Sequence, residues 1–199
     1  MQQGSTRRTN RERSDESKAR LMAAARTLFI EKGYAETSTP EIVAAAGLTR
    51  GALYHHFTDK QALFRAIVEQ ESATVAAEVE AGASNETPSA IDALMEGSRA
   101  YFDAMAKPGR AKLLLLEGPA VLGRKSMDEI DAEHGARTLL EGLTEALAET
   151  NRQGLPLGPL SEMLSAAFDR AALAISEGAD PRPYQEGIEA LLSGLIRQS

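Results

Sequence analysis

Apolar residues recur at helical spacing along most of the chain. Leu21, Ala24, Ala25, Leu28 and Phe29 form an i, i+3, i+4, i+7 stripe. Glu31-Lys32-Gly33 should end it, since Lys32 suits the negative helix terminus and Gly33 the closing turn. Punctuation is densest just beyond. Ser38-Thr39-Pro40-Glu41 reads as a capping box with proline in the first turn, opening a short helix with Ile42, Val43 and Ala46 inward. Gly47 stops that helix, and Thr49 caps the next, which runs from Arg50 to Phe57 and buries Leu53 and Phe57. Thr58-Asp59-Lys60-Gln61 repeats the box spacing and starts a long helix carrying Leu63, Phe64, Ile67, Val68, Val75 and Val79. Connections this short pack four helices into one compact unit.

Beyond residue 82 the punctuation loosens. A loop through Pro88 opens a helix that passes Tyr101 and Met105, and Lys107-Pro108-Gly109 breaks it. A short apolar helix at Leu113-Leu114-Leu115-Leu116 stops at Gly118-Pro119. Ser126 with Glu129 reads as another capping box, opening one helix through Ile130, Leu139, Leu140, Leu143 and Leu147. After the turn-rich segment 151–159 come two last helices. No segment alternates with period two, so the pattern predicts an all-α chain of about nine helices.

Composition narrows the chemistry. The chain has 199 residues, 43% hydrophobic and 26% charged, which is ordinary for a globular protein and enough to bury a core. It has no cysteine, which removes disulfides, Cys-ligated metals and thiol catalysis. No apolar run reaches the ~20 residues that span a bilayer, and Met1 to Arg8 is basic without the apolar segment of a secretory signal. A soluble, cytoplasmic protein without membrane contact is the expectation. Charge is unevenly placed: residues 1–65 carry 11 Lys+Arg against 7 Asp+Glu, whereas residues 66–199 carry 11 against 22. A basic head on an acidic body suits contact with a polyanion at one end only.

Two short helices joined by a glycine turn form a helix-turn-helix, whose second helix reads a DNA major groove with its N-terminal residues. With Leu53 and Phe57 inward, the outward set is Arg50, Gly51, Ala52, Tyr54, His55 and His56. Arg50 can fork onto guanine, Gly51 and Ala52 allow close approach, and Tyr54 and the histidines can donate to phosphates. Residues 1–13, with Arg7, Arg8, Arg11 and Arg13 and no apolar anchor, should form a flexible basic arm, lying along the DNA or simply solvated.

The run from Gly33-Tyr34 through Ala46-Gly47, Tyr54-His55-His56-Phe57 and Lys60 strongly resembles the DNA-binding signature of the TetR family of transcriptional regulators. The resemblance covers roughly residues 14–70. It implies a three-helix helix-turn-helix head over 14–70 and a helical effector-binding and dimerisation domain over 71–199. Phosphate contacts are implied for Ser38, Thr39, Thr49, Tyr54, His56 and Lys60, and base-edge contacts for Arg50, Gly51 and Ala52, with His55 at the margin. Pro40 departs from the pattern where some members present a long polar side chain, so readout should lean on Arg50. The partners implied are a double-stranded DNA operator, a second copy of the chain and a small-molecule effector of unknown identity, without cofactor or metal. The function implied is that of a dimeric, ligand-responsive repressor. The other reading is a helical small-molecule or partner-binding module without specific DNA readout.

In the body, the leucine run packs either as core or around a cavity. The cavity reading groups Leu114, Leu115 and Glu117 with Tyr101, Phe102, Met105, His134, Leu139, Leu143 and Phe168. The last two helices pose a second choice. Leu160, Leu164, Ala167, Phe168, Ala171 and Ile175, with Tyr184, Ile188, Leu191, Leu192 and Leu195, either close the protomer's core or pair with a second copy. No nucleophile, base and orienting group can be assembled, and no glycine-rich phosphate loop is present, so enzymatic activity is not expected.

Overall fold

The computed structural model describes residues 9–83, 89–152 and 154–196. They form ten α-helices and one π-helical turn, and no strand is present among them. The chain divides into two units, one ending at Ile67 and one beginning at Val68, so the boundary falls inside a continuous helix.

The first unit holds α1 (Asn10–Lys32), α2 (Thr39–Ala45), α3 (Arg50–His56) and the start of α4 (Lys60–Gly82). Leu21, Phe29, Ile42, Leu53, Leu63 and Phe64 are fully buried in it. Phe29, Tyr34 and Phe64 pack ring against ring, with centroids 5.1 to 5.6 Å apart. Residues 10–13, expected from their polarity to belong to a mobile arm, are instead the first turn of α1. A complete capping box causes this: Thr9 accepts from the Glu12 amide, and Glu12 accepts from the Thr9 amide. Arg11 and Arg13 therefore stand exposed on a helix, while Arg7 and Arg8 lie outside the described residues. The cap of α4 also moves by one residue, because Asp59, not Thr58, accepts from the Ala62 amide at 2.7 Å.

The second unit contains the rest of α4 with α5 (Ala90–Met105), the π turn Lys112–Glu117, α6 (Gly118–Leu122), α7 (Arg124–Glu133), α8 (Gly135–Glu149), α9 (Leu157–Ser176) and α10 (Pro181–Ile196). Its core joins Leu94 and Phe102 of α5, Leu143 and Leu147 of α8, Leu164 and Phe168 of α9, and Ile188, Leu192 and Ile196 of α10. Arg110 is buried and donates to Glu71 at 2.8 Å, to Glu78 at 2.9 Å and to the Ala104 carbonyl at 2.8 Å. These bonds satisfy a charge that would otherwise be costly to bury.

Two further elements, both in the second unit, differ from the sequence reading. The expected helix from Ser126 to Leu147 is two helices that meet at His134, whose φ of −128° and ψ of −91° are not helical. Ser126 lies inside α7, which starts after Gly123 without a side-chain cap. The leucine run is a π turn because Pro119 has no N–H to donate and its ring crowds the preceding carbonyls. The Gly118 amide reaches back five residues to the Leu113 carbonyl. Leu113 and Leu114 are buried there, and Leu116 is exposed.

Candidate functional site

Local chemistry fixes the turn of the helix-turn-helix. Ser38 and Glu41 form the expected box, and Lys32 reaches Glu41 from α1 at 2.7 Å. The Lys32 ammonium, with the Ser38 hydroxyl and amide, holds the Glu41 carboxyl down to about 2. Gly47 takes the turn at φ +61°, a conformation that costs an L side chain. Arg20 of α1 closes the turn by donating to the Ala46 carbonyl at 2.6 Å. Its cation thus meets the negative end of α2. Neither Arg20 nor Thr37, buried and donating to the Gly33 carbonyl at 2.8 Å, stood out in the sequence. Arg20 finds its partner 26 positions along the chain, and Thr37 lies in the unpatterned link between α1 and α2.

The recognition helix α3 opens with Thr49 accepting from the Ala52 amide at 3.2 Å, which leaves the threonine's own proton for an outside acceptor. Leu53 is fully buried and Phe57 nearly so, and this anchors one face. Arg50, Gly51, Tyr54 and His55 are exposed on the other, while Ala52 and His56 are half-buried. Arg50 stands with its guanidinium carbon 5.9 Å from the Tyr54 ring centroid, an i, i+4 pair that limits its rotamers. Burial, with the charges of His55 and Lys18, lowers the His56 pKa.

Two residues expected to touch phosphate are bonded within the unit. Ser38 Oγ donates to Glu41 at 2.7 Å and accepts from the Glu41 amide, so it keeps no proton for a phosphate. Lys60 Nζ donates to the Tyr34 and Thr37 carbonyls, both at 2.8 Å, and so ties the α1–α2 connection to α4. Thr39 is half-buried in the first turn of α2.

The second unit encloses a half-open cavity of about 730 Å³ between the end of α4 and helices α5, α7, α8 and α9. Tyr101, Leu139 and Phe168 line it as expected from the sequence. Phe102, Met105, Leu114 and Leu143 do not, because they point into the packed core. Leu115 and Glu117 stay on the π turn away from the cavity, and His134 is used at the α7–α8 break. The sequence reading missed the polar lining, above all Asp169, Asp131, Thr138 and Ser98. Tyr101 donates to Asp169 at 2.8 Å. Burial, despite that bond, raises the Asp169 carboxyl to about 6, and the charge of Asp131 adds to the rise. Asp131 is itself raised by burial. Glu149, on the same lining, accepts from the Ala90 and Ile91 amides and so caps α5.

The residues expected to form a dimer face divide sharply. Leu164, Phe168, Ala171, Ile188 and Leu192 are buried in the protomer's own core, and Leu160, Ala167, Ile175, Tyr184 and Leu195 pack half-buried against it. Only Leu191 of the set is exposed, at 53%. Helical period explains the division, since one stripe of α9 and α10 was read where each helix carries an inner and an outer one.

A capped helix-turn-helix with an exposed, arginine-led second helix, in a chain that also carries an all-helical unit with a cavity, defines the class of DNA-binding transcriptional regulators. Residues 21–67 match the model for bacterial regulatory proteins of the tetR family, and residues 91–198 match that for the tetracyclin repressor-like C-terminal domain. The chain belongs to the TetR family of transcriptional regulators. A TetR-family regulator from Pectobacterium atrosepticum superposes with TM-score 0.73 at 30% identity, over 96% of this chain and 99% of that one. An HTH-type transcriptional repressor of Mycobacterium tuberculosis is 27% identical over 179 residues, 90% of this chain and 92% of its own length. The fatty acid degradation regulator of Bacillus halodurans shares the fold, with TM-score 0.77 at 18% identity and full coverage of both chains. No helix among the described residues is long and apolar enough to cross a membrane.

Proposed function

We propose that this chain is a ligand-responsive repressor that binds a near-palindromic operator as a homodimer. The carrying observation is the exposed leading edge of α3, where Arg50 stands beside Tyr54 behind the Thr49 cap. Arg50, Gly51 and Ala52 face base edges in the major groove, with His55 at the margin. Thr39, Thr49, Tyr54 and His56 donate to flanking phosphates. Ser38 and Lys60 hold the frame. One such helix reads only a few base pairs, so tight binding requires two, set a helical turn or a multiple apart by two-fold symmetry.

The second copy packs on the outer faces of α9 and α10, where Met163 is 69% exposed and Leu191 53%. Gly187 and Gly194 of α10 have open space where a Cβ would stand, so that face admits close helix approach. The effector occupies the cavity of the second unit and binds the DNA-incompetent state more tightly, since a ligand indifferent between states shifts nothing. The word repressor rests on similarity to named repressors such as the mycobacterial one.

Selection of genomic fragments by the purified protein at one stated salt concentration tests this reading. Enrichment of a two-fold-symmetric sequence is the expected result. Uniform recovery of all fragments would leave the chain without specific readout.

A further inference from the structure

The cavity has a chemical sign. Among the described residues, six carboxylates line it (Glu80, Asp131, Glu141, Glu145, Glu149 and Asp169) and no lysine, arginine or histidine does. Three of the six have other work. Arg137 lies 3.6 Å from Glu80 and 3.8 Å from Glu141, and Glu149 caps α5. Of the other three, Glu145 stands exposed on α8, while Asp131 on α7 acts electrostatically on Asp169 of α9. Apolar walls stand close by: Leu94, Leu139, Val79 and Phe168, with the Tyr101 ring 5.2 Å from that of Phe168. The volume is in the ordinary range for a small-molecule site, ~300–1,000 Å³.

We propose that the cavity takes an amphipathic organic cation, its apolar body against Phe168, Tyr101, Leu94 and Leu139 and its positive group, an amine or quaternary ammonium, between Asp131 and Asp169. This rests on the reading of the second unit as the effector-binding part. Charge separates the candidate ligands. A cation there gains two attractive contacts, one of them with the half-buried Asp169, where screening is weaker than in water, whereas an acyl carboxylate meets two like charges and no cation on the described lining. Asp169 is already raised by burial, and a bound cation relieves that penalty. The aromatic faces of Tyr101 and Phe168 favour the same sign.

The test uses three probes of one shape: a naphthylpropyl chain ending in trimethylammonium, in its neutral carbon isostere tert-butyl, or in carboxylate. The chain has no tryptophan, so naphthalene fluorescence reports binding directly. The cation should bind about tenfold or more tighter than the isostere, and the carboxylate should be weakest. Asp169→Asn and, separately, Asp131→Asn should cut the cation preference by about tenfold while leaving the neutral probe's Kd little changed. Circular dichroism checks that each variant is folded. Equal binding of cation and isostere, tighter binding of the carboxylate, or no binding by any probe overturns the assignment. The effector reading has its own readout, the affinity for a selected DNA fragment. Cation-selective binding that leaves this affinity unaltered upholds the ligand class and removes the effector role.

Discussion

The Lys60 ammonium sits 4.1 Å from the centroid of the Tyr34 ring and donates to the Tyr34 carbonyl at 2.8 Å. Together with its bond to the Thr37 carbonyl, this fastens the first turn of α4 to the segment that delivers the chain into α2. Lys60→Met keeps the aliphatic stem and removes the donors. It should cost about 1–3 kcal/mol in urea unfolding, because two partly buried carbonyls lose their partner. The salt slope of DNA binding should stay at the wild-type value. A slope reduced by about one, with stability intact, would instead identify Lys60 as a phosphate contact.

Gly47 should tolerate no side chain. A Cβ there would lie 2.9 Å from Arg20 Nη2, and φ is +61°. Gly47→Ala is expected to lose roughly 1–3 kcal/mol from backbone strain and displacement of the Arg20 bond to the Ala46 carbonyl. Arg20→Ala should cost less, since its bond joins partly exposed groups. Thermal unfolding of the two variants gives the order, and the reverse order would show that the guanidinium, not the glycine, sets the turn.

Asp169 sets a pH dependence of definite sign. Its folded-state pKa is about 6 against an ordinary 3.8, so between these values the folded chain holds a proton that the unfolded chain has released. Stability therefore falls as pH rises through this window, and the penalty is fully present above about pH 6. Tyr101 and Asp131 are the groups that act on it. Asp169→Asn should raise stability by up to roughly 2 kcal/mol at pH 8 and hardly at all at pH 4, as read by urea unfolding. A destabilised variant at pH 8 would mean that the Tyr101–Asp169 bond outweighs the burial of charge.

Adjacent leucines on α10 should behave as opposites. Leu192 is fully buried in the protomer core and Leu191 is 53% exposed. Leu192→Ala is expected to cost about 2–5 kcal/mol through the cavity it leaves. Leu191→Glu should leave the fold intact and convert the proposed dimer to monomer in analytical ultracentrifugation. A variant that remains dimeric would move the interface to another face.

Much of this was legible in the sequence where one residue's chemistry decides a local structure. Ser38-Glu41, Gly47 and Thr49 set the helix-turn-helix because a cap or a turn needs a particular side chain at a particular place. The Thr9–Glu12 box was equally local, yet it starts a polar turn with no apolar stripe to draw attention to it. Long-range polar partnerships were illegible. Tyr101 and Asp169 are separated by 68 positions, and Lys60 and Tyr34 by 26, so no spacing along the chain announces either pair. The division of α9 and α10 was lost for a different reason. Apolar residues occupy both faces of those helices, and only the packing shows that Leu192 is inner and Leu191 outer.

The central claim is that Arg50 reads bases from the exposed edge of α3. It is tested most directly by measuring Arg50→Ala against the selected operator and a set of single-base-pair variants at fixed salt. The account predicts a loss of about 1–3 kcal/mol on the operator, with discrimination abolished at one base pair in each half-site and non-specific affinity changed far less. An unchanged pattern of base preference, with the same affinity for every variant as the wild-type protein shows, would contradict it.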